Sequence, residues 1–164
     1  MKQTIFAVAT LLFTGLALNA QVVTKVIKPE GNLTSQYQGN NPKESLSNST
    51  DGDVSTKYYV SKKTAFWLQY EAKAAVVVNQ YAIASANDVP DRDPKSWILK
   101  ASKDGITWVD LDVQNDQVFP TRKTERTFNV ANKTAYTFYR LDVISNNGGI
   151  SGTQFSEWSL MNSK

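Results

Sequence analysis

The chain has neither cysteine nor histidine in its 164 residues. Without cysteine there are no disulfides and no thiolate ligands. Without either residue, zinc sites and the usual nucleophile–base pairs are excluded, as is the side chain that titrates near neutral pH. Only oxygen-rich sites for hard cations remain. Proline (5) and glycine (8) are few and fall between apolar runs rather than in blocks. There is no low-complexity tract, no internal repeat and no pattern for a helix longer than a turn or two. An excess of one charge is also missing. Eighteen basic residues face fifteen acidic ones, scattered along the chain, for a net charge of +3. That balance does not suggest a nucleic-acid partner.

Long hydrophobic runs are missing too, with one partial exception. Ile5 to Leu18 is mostly apolar, follows Lys2, and leads to Leu18-Asn19-Ala20 before Gln21. The run is shorter than the ~20 residues a bilayer span needs, and it reads as a secretory signal over residues 1–20. Removing Lys2 with it leaves 17 basic and 15 acidic residues, a net charge of +2. Residues 21–164 are then expected to form one domain, secreted, periplasmic or at the cell surface. An exported domain without disulfides must be held by packing or by a metal, which favours a structural cation.

What is present is β patterning. Phe66-Trp67-Leu68-Gln69-Tyr70 alternates around Leu68, and Ala74 to Ala84 is a long β-rich stretch. Trp97, Leu99 and Ala101 share a face opposite Ile98 and Lys100. Phe128 and Val130 alternate with Thr127 and Asn129, and Tyr139, Leu141 and Val143 alternate with Arg140, Asp142 and Ile144. Period-two runs separated by turn residues predict an all-β antiparallel sandwich. The aromatic residues Trp97, Trp108, Phe128, Phe138 and Tyr139 lie in these runs and are expected mostly in the core. Pro42 to Leu46 predicts one short helical turn with Pro at its start.

Two segments carry chemistry. Asn48-Ser49-Thr50-Asp51-Gly52-Asp53-Val54-Ser55-Thr56 is a compact acidic loop, in which Gly52 lets the backbone curl and turn carbonyls inward. Such a set of oxygens suits calcium, although the spacing is not that of an EF-hand and a solvated turn fits the same residues. The second segment runs from Ser85-Ala86-Asn87-Asp88 through Asp91-Arg92-Asp93-Pro94-Lys95-Ser96-Trp97 to Ser102-Lys103-Asp104-Gly105-Ile106-Thr107-Trp108. It predicts a polar loop, a strand, an Asp-Gly hairpin turn and a strand opening on Trp108. Carboxylate pairs such as Asp91/Asp93 and Asp110/Asp112, the latter expected as near neighbours on one strand face, could in principle work as acid and base, but nothing in the sequence suggests that either pKa is raised.

This string resembles the discoidin family, also called coagulation factor V/VIII type C or galactose-binding-like domains. The resemblance covers about Lys43 to Leu160 and is nearest to bacterial family-32-like carbohydrate-binding modules. It implies a discoidin-type jelly roll and binding rather than catalysis. Members carry an Asp-Gly loop ending in Thr and a Glu near the C-terminus, which together enclose one structural calcium. Here those positions are Asp51, Gly52 and Thr56, followed by Tyr58 where many relatives have Trp, and Glu157. The implied ligands are the carbonyls of Asn48, Asp53 and Ser156, the carboxylates of Asp51 and Glu157, and the carbonyl and hydroxyl of Thr56.

The resemblance also implies a glycan site on loops at the end near the cation. Its polar candidates are Asn87, Asp88, Asp91, Arg92, Asp93, Arg122, Asn146 and Asn147, groups able to hydrogen-bond sugar hydroxyls. Many galactose-type binders place a His in this pocket, and this chain has none. Trp67, Tyr37, Tyr59, Phe119 and Phe155 are the candidates for stacking on a sugar face. The expected partner is a glycan or glycoconjugate, with a separately encoded glycan-processing enzyme or surface protein as a further one. No membrane insertion is expected from these polar loops. A domain whose same loops meet a protein, in adhesion, is the alternative.

Overall fold

A computed structural model describes residues 22–27 and 30–163. The expected leader, residues 1–20, lies outside the described residues. Among the described residues eleven strands follow one another: β1 (Val23–Lys25), β2 (Asn32–Ser35), β3 (Tyr58–Ser61), β4 (Phe66–Val77), β5 (Gln80–Ala84), β6 (Pro94–Ser102), β7 (Trp108–Gln114), β8 (Glu125–Asn129), β9 (Ala135–Asn146), β10 (Gly152–Phe155) and β11 (Glu157–Ser163). They form a five-stranded sheet in the order β2-β4-β9-β6-β7, a four-stranded sheet in the order β1-β11-β5-β8, and a small β10-β3 pair. Every pairing is antiparallel. Three short 3-10 turns, at Pro42–Glu44, Leu46–Ser49 and Pro90–Arg92, are the helical content among the described residues. The first is where the sequence predicts it, with the Asn41 side chain accepting from the Lys43 amide.

The alternation read from the sequence decides which face is buried. Trp97, Leu99 and Ala101 are sealed, as are Tyr139 and Leu141 on the neighbouring strand. They meet Tyr81, Ile83, Trp158 and Leu160 from the four-stranded sheet in one core. Each of the larger side chains contributes roughly 1.5–3 kcal/mol by leaving water. A polar chain crosses this core. Trp97 Nε1 donates to the Tyr81 hydroxyl at 2.8 Å, which donates to Asp112 Oδ2 at 2.7 Å. Burial, followed by Asp112, pushes the Tyr81 pKa far up, so the hydroxyl remains a donor.

Three expectations change. The stretch Ala74 to Ala84 is not one strand, because β4 ends at Val77 and β5 begins in the other sheet. Asn79 makes the crossing: its amide donates to the Met161 carbonyl, and its side-chain oxygen accepts from the Ser163 amide. Asp110 and Asp112 do not share a face. A register shift between Leu99 and Lys100 places Asp110 opposite outward Lys100 and Asp112 opposite inward Leu99. Of the aromatic residues, Trp97 and Tyr139 are fully buried. Trp108 is instead half-buried outside the core, where Arg140 stacks on its ring at 4.1 Å and on Trp67 at 4.7 Å.

Candidate functional site

The acidic loop and the start of β11 come together. Gly52, at φ +84°, presents its amide to Glu157 Oε1 at 3.0 Å. Thr56 Oγ1 donates to Asp51 Oδ2 at 2.8 Å and lies 3.0 Å from the Asp53 carbonyl. The Asp53 amide donates back to Asp51 Oδ1 at 2.8 Å. Glu157 is only 5% exposed. Burial pushes its carboxyl up to about 8, the adjoining Asp51 carboxyl adds to this, and the Gly52 amide opposes it. Two carboxyls, one of them buried, thus face each other, with the Gly52 amide on Glu157 and the Asp53 amide and Thr56 hydroxyl on Asp51.

A divalent cation would remove that conflict, and the donors present are all hard oxygens. Asp51, Asp53, Thr56 and Glu157 therefore fit the implied calcium. Among the described residues no cluster of three acidic side chains occurs, so carbonyls would have to complete the shell. Ser156 is sealed beside Glu157, its hydroxyl donating to the Ser85 carbonyl at 2.9 Å. The Asn48 side chain donates to the carbonyls of Lys43 (2.8 Å) and Lys57 (3.1 Å), fixing the loop on which its own carbonyl lies.

Beside this loop lies the rim expected to hold a ligand. The eight polar candidates divide into two sets. Asp88, Asp93, Arg122 and Asn146 are spent on internal contacts. Arg122 makes a two-pronged pair with the carboxylate of Asp93, whose side chain is 1% exposed. Burial dominates the Asp93 carboxyl and holds it above the ordinary aspartate range despite Arg122. Asn146 is buried and donates to the carbonyls of Gly149 and Gly152, both at 2.8 Å. Asp88 receives Lys57 and Gln154.

The other set, Asn87, Asp91, Arg92 and Asn147, is left at the surface. Asn87 and Asp91 are exposed, and Arg92 and Asn147 are half-buried. The backbone is pinned at three of them, with the Gly149 amide on the Asp91 carbonyl at 2.8 Å, the Arg92 amide on the Val89 carbonyl at 3.0 Å and the Asn147 amide on the Asp93 carbonyl at 3.0 Å. Arg92 Nε donates to Ser151 Oγ at 2.8 Å, and its guanidinium lies 4.6 Å from the Tyr59 ring centre.

Of the stacking candidates, Phe119 and Phe155 are in the core and Trp67 lies under Arg140 on the outer sheet face. Tyr37 lies under Lys63, and Tyr59, buried at 7% exposure, lies under Arg92 with its hydroxyl on the Ser151 carbonyl, so its ring underlies the rim and offers no open face for stacking. Sequence reasoning missed Ile150, which is 94% exposed at the tip of the loop after β9, and Lys57 and Gln154, which carry no motif. A cavity of about 360 Å3 between β1 and the bulged part of β4, lined among others by Lys25, Tyr70 and Asn162, lies at the other end of β11, away from every candidate.

A two-sheet β-sandwich with a glycine-turned acidic loop clipped to its last strand, and a pinned polar rim beside it, is the architecture of a discoidin-type binding domain. The F5/8 type C domain model matches residues 31–158, and the chain belongs to that family. Similar solved structures share the fold. One is CpGH89CBM32-5 from Clostridium perfringens in complex with GalNAc-beta-1,3-galactose (12% identity, TM-score 0.70, 84% of this chain and 99% of that one). Another is the family 32 carbohydrate-binding module of C. perfringens NanJ in complex with galactose (12%, 0.69, 86% and 100%). A third is the F5/8 type C domain of a Bacteroides fragilis protein (13%, 0.71, 87% and 97%). A curated relative, the peptide-N(4)-(N-acetyl-beta-glucosaminyl)asparagine amidase of Arabidopsis thaliana, is 49% identical over 51 residues. The match takes in 30% of this chain and only 7% of that enzyme's length.

Proposed function

We propose that this domain is a secreted, non-catalytic carbohydrate-binding module that takes a glycan on the rim formed by Asn87, Asp91, Arg92 and Asn147. The observation that carries this reading is the division of the rim. Four polar side chains lock the loops, and four planar groups (two amides, a carboxylate, and a guanidinium whose Nε is bound to Ser151) stand at or near the surface, on loops held at Asp91, Arg92 and Asn147. Sugar hydroxyls both donate and accept; the carboxylate accepts, the guanidinium donates and the amides do both, and prior ordering lowers the cost of binding. Tyr59, buried beneath Arg92, supports the guanidinium from below. The family and the sugars held by similar folds support the same class of ligand.

Calcium held by Asp51, Asp53, Thr56 and Glu157, with the carbonyls of Asn48 and Ser156, would act as a structural clip. The ion would neutralise the facing carboxyls and tie the first loop to β11. Neither carboxylate pair named from the sequence is free for acid–base work: Asp93 is committed to Arg122, and Asp110 and Asp112 lie on opposite faces. On this reading the domain would serve as a targeting module, with a separately encoded glycan-processing enzyme or surface protein as its partner.

A glycan array in calcium buffer, carrying galactose, GalNAc-β-1,3-galactose and N-acetylglucosamine among its sugars, tests this. Binding that disappears in Arg92→Ala, with an unchanged melting curve, is expected. Silence across a broad array with calcium present would overturn it. The exposed Ile150 and Val89 favour a second reading, an adhesion domain whose rim meets a protein. Capture of a protein partner that free sugars do not displace, and that Ile150→Ser abolishes, would favour that reading.

A further inference from the structure

Lys57 sits between the two sites. It directly follows Thr56, whose hydroxyl holds Asp51, and its carbonyl accepts from the Asn48 side chain at 3.1 Å. Its own side chain is 11% exposed and runs away from the acidic loop to the carboxylate of Asp88, with Nζ at 2.8 and 2.9 Å from the two oxygens. Glu44 stands 3.7 Å away on the other side. Asp88 is also gripped from β10. Gln154, fully buried two residues before Ser156, donates to the Asp88 carbonyl at 2.7 Å and to its carboxylate at 2.8 Å. The rim loop is thereby fastened to both walls of the cation loop.

The next residue shows what these fastenings hold. Val89 has φ +39°, in the left-handed region, where a β-branched residue is disfavoured and persists only under constraint. It opens the 3-10 turn Pro90–Arg92, whose Arg92 amide donates to the Val89 carbonyl at 3.0 Å. That turn delivers Asp91 and Arg92 to the surface. Without Lys57, Asp88 would be held by Gln154 and by Arg122 on its carbonyl, with no contact from the cation loop to keep the strained turn in place.

We propose that Lys57 is a positioning residue that makes the order of the glycan-binding rim depend on the cation held by the Asp51–Glu157 loop. The inference rests on the calcium reading above and goes beyond it, because a purely structural clip would steady its own loop without reaching Asp91 and Arg92. Coupling of this kind needs an element that both sites bias, and the segment Asp88–Arg92, fastened to the cation loop through Lys57 and carrying Asp91 and Arg92, would be that element.

Amide hydrogen exchange of the purified protein, with calcium alone as the probe against a chelator, tests this. In the wild type, calcium slows exchange about tenfold or more both in residues 50–57 and in residues 86–93. In Lys57→Met the first segment still responds and the second changes less than twofold. Lys57→Arg, which keeps a cation for Asp88, restores much of the response. Should Lys57→Met fold poorly, Asp88→Asn removes the charge from the other side and is expected to uncouple the segments in the same way. Protection confined to 50–57 in the wild type, or an undiminished response of 86–93 in Lys57→Met, overturns the coupling and leaves the cation site standing. No response in either segment overturns both.

Discussion

Arg122 and Asp93 are bound to each other across the rim, Nη1 lying 2.8 Å from Oδ1 with a second contact from Nη2 to Oδ2, and Arg122 also reaches the Phe119 carbonyl at 3.0 Å. The pair belongs to the frame of the rim. Removing the cation while leaving a sealed carboxylate behind is costly. Arg122→Ala is expected to lose about 2–4 kcal/mol in urea unfolding. Adding Asp93→Ala should recover part of that, since no buried charge is then left alone. A loss under about 0.5 kcal/mol for Arg122→Ala, the level of an ordinary surface change, would mean that the pair is not sealed in solution.

Calcium should raise the melting temperature. At a hundredfold excess over the dissociation constant, mass action adds about 2.7 kcal/mol, or roughly 5–10 °C for a domain of this size. Asp51→Asn is expected to abolish the gain. Scanning calorimetry in chelator and in millimolar calcium decides the matter, and identical curves would remove the ion from the structure.

The β6–β7 hairpin carries a pH dependence whose sign is set. Backbone amides of Thr107 and Ile106 and the Ser102 hydroxyl lower the Asp104 carboxyl to about 2 from its ordinary value of 3.8. The folded pKa is below the unfolded one, so the stabilisation is fully present above about pH 4 and is lost as pH falls through about 2. Asp104→Ala should melt below the wild type at pH 7, and the two curves should converge as pH drops from 4 to 2. A gap that stays constant with pH would assign the effect to helix-free turn geometry rather than to the ionised carboxylate.

Two glycines at the rim separate backbone strain from collision. Gly148 has φ +103° and open space around an added Cβ, whereas at Gly152, with φ +136°, a Cβ would stand 2.2 Å from the Val60 carbonyl. Gly148→Ala should cost about 1–2 kcal/mol from backbone conformation alone. Gly152→Ala should cost clearly more, because it also separates β10 from β3. Equal melting temperatures for the two variants would contradict the close approach.

The amino-acid sequence by itself determined the class of fold and both faces of the main strands. Alternation at Trp97–Ala101 and Tyr139–Val143 reflects side chains pointing to opposite sides of a pleated strand, a local property that needs no partner to be read. It also determined the acidic turn, because Asp-Gly chemistry is local. Register and contact between distant segments were not legible. The shift at Leu99/Lys100 sends Asp112 inward to Tyr81, and nothing near Asp112 announces it.

The same holds for the rim. Its loop residues could be named from the sequence, but which of them stay available depends on partners far along the chain, such as Arg122 for Asp93 and Gln154 and Lys57 for Asp88. Spacing along the chain carries no record of such pairings. Only folding brings the charges close enough to satisfy one another, and that satisfaction separates the four side chains that build the rim from the four that face outward.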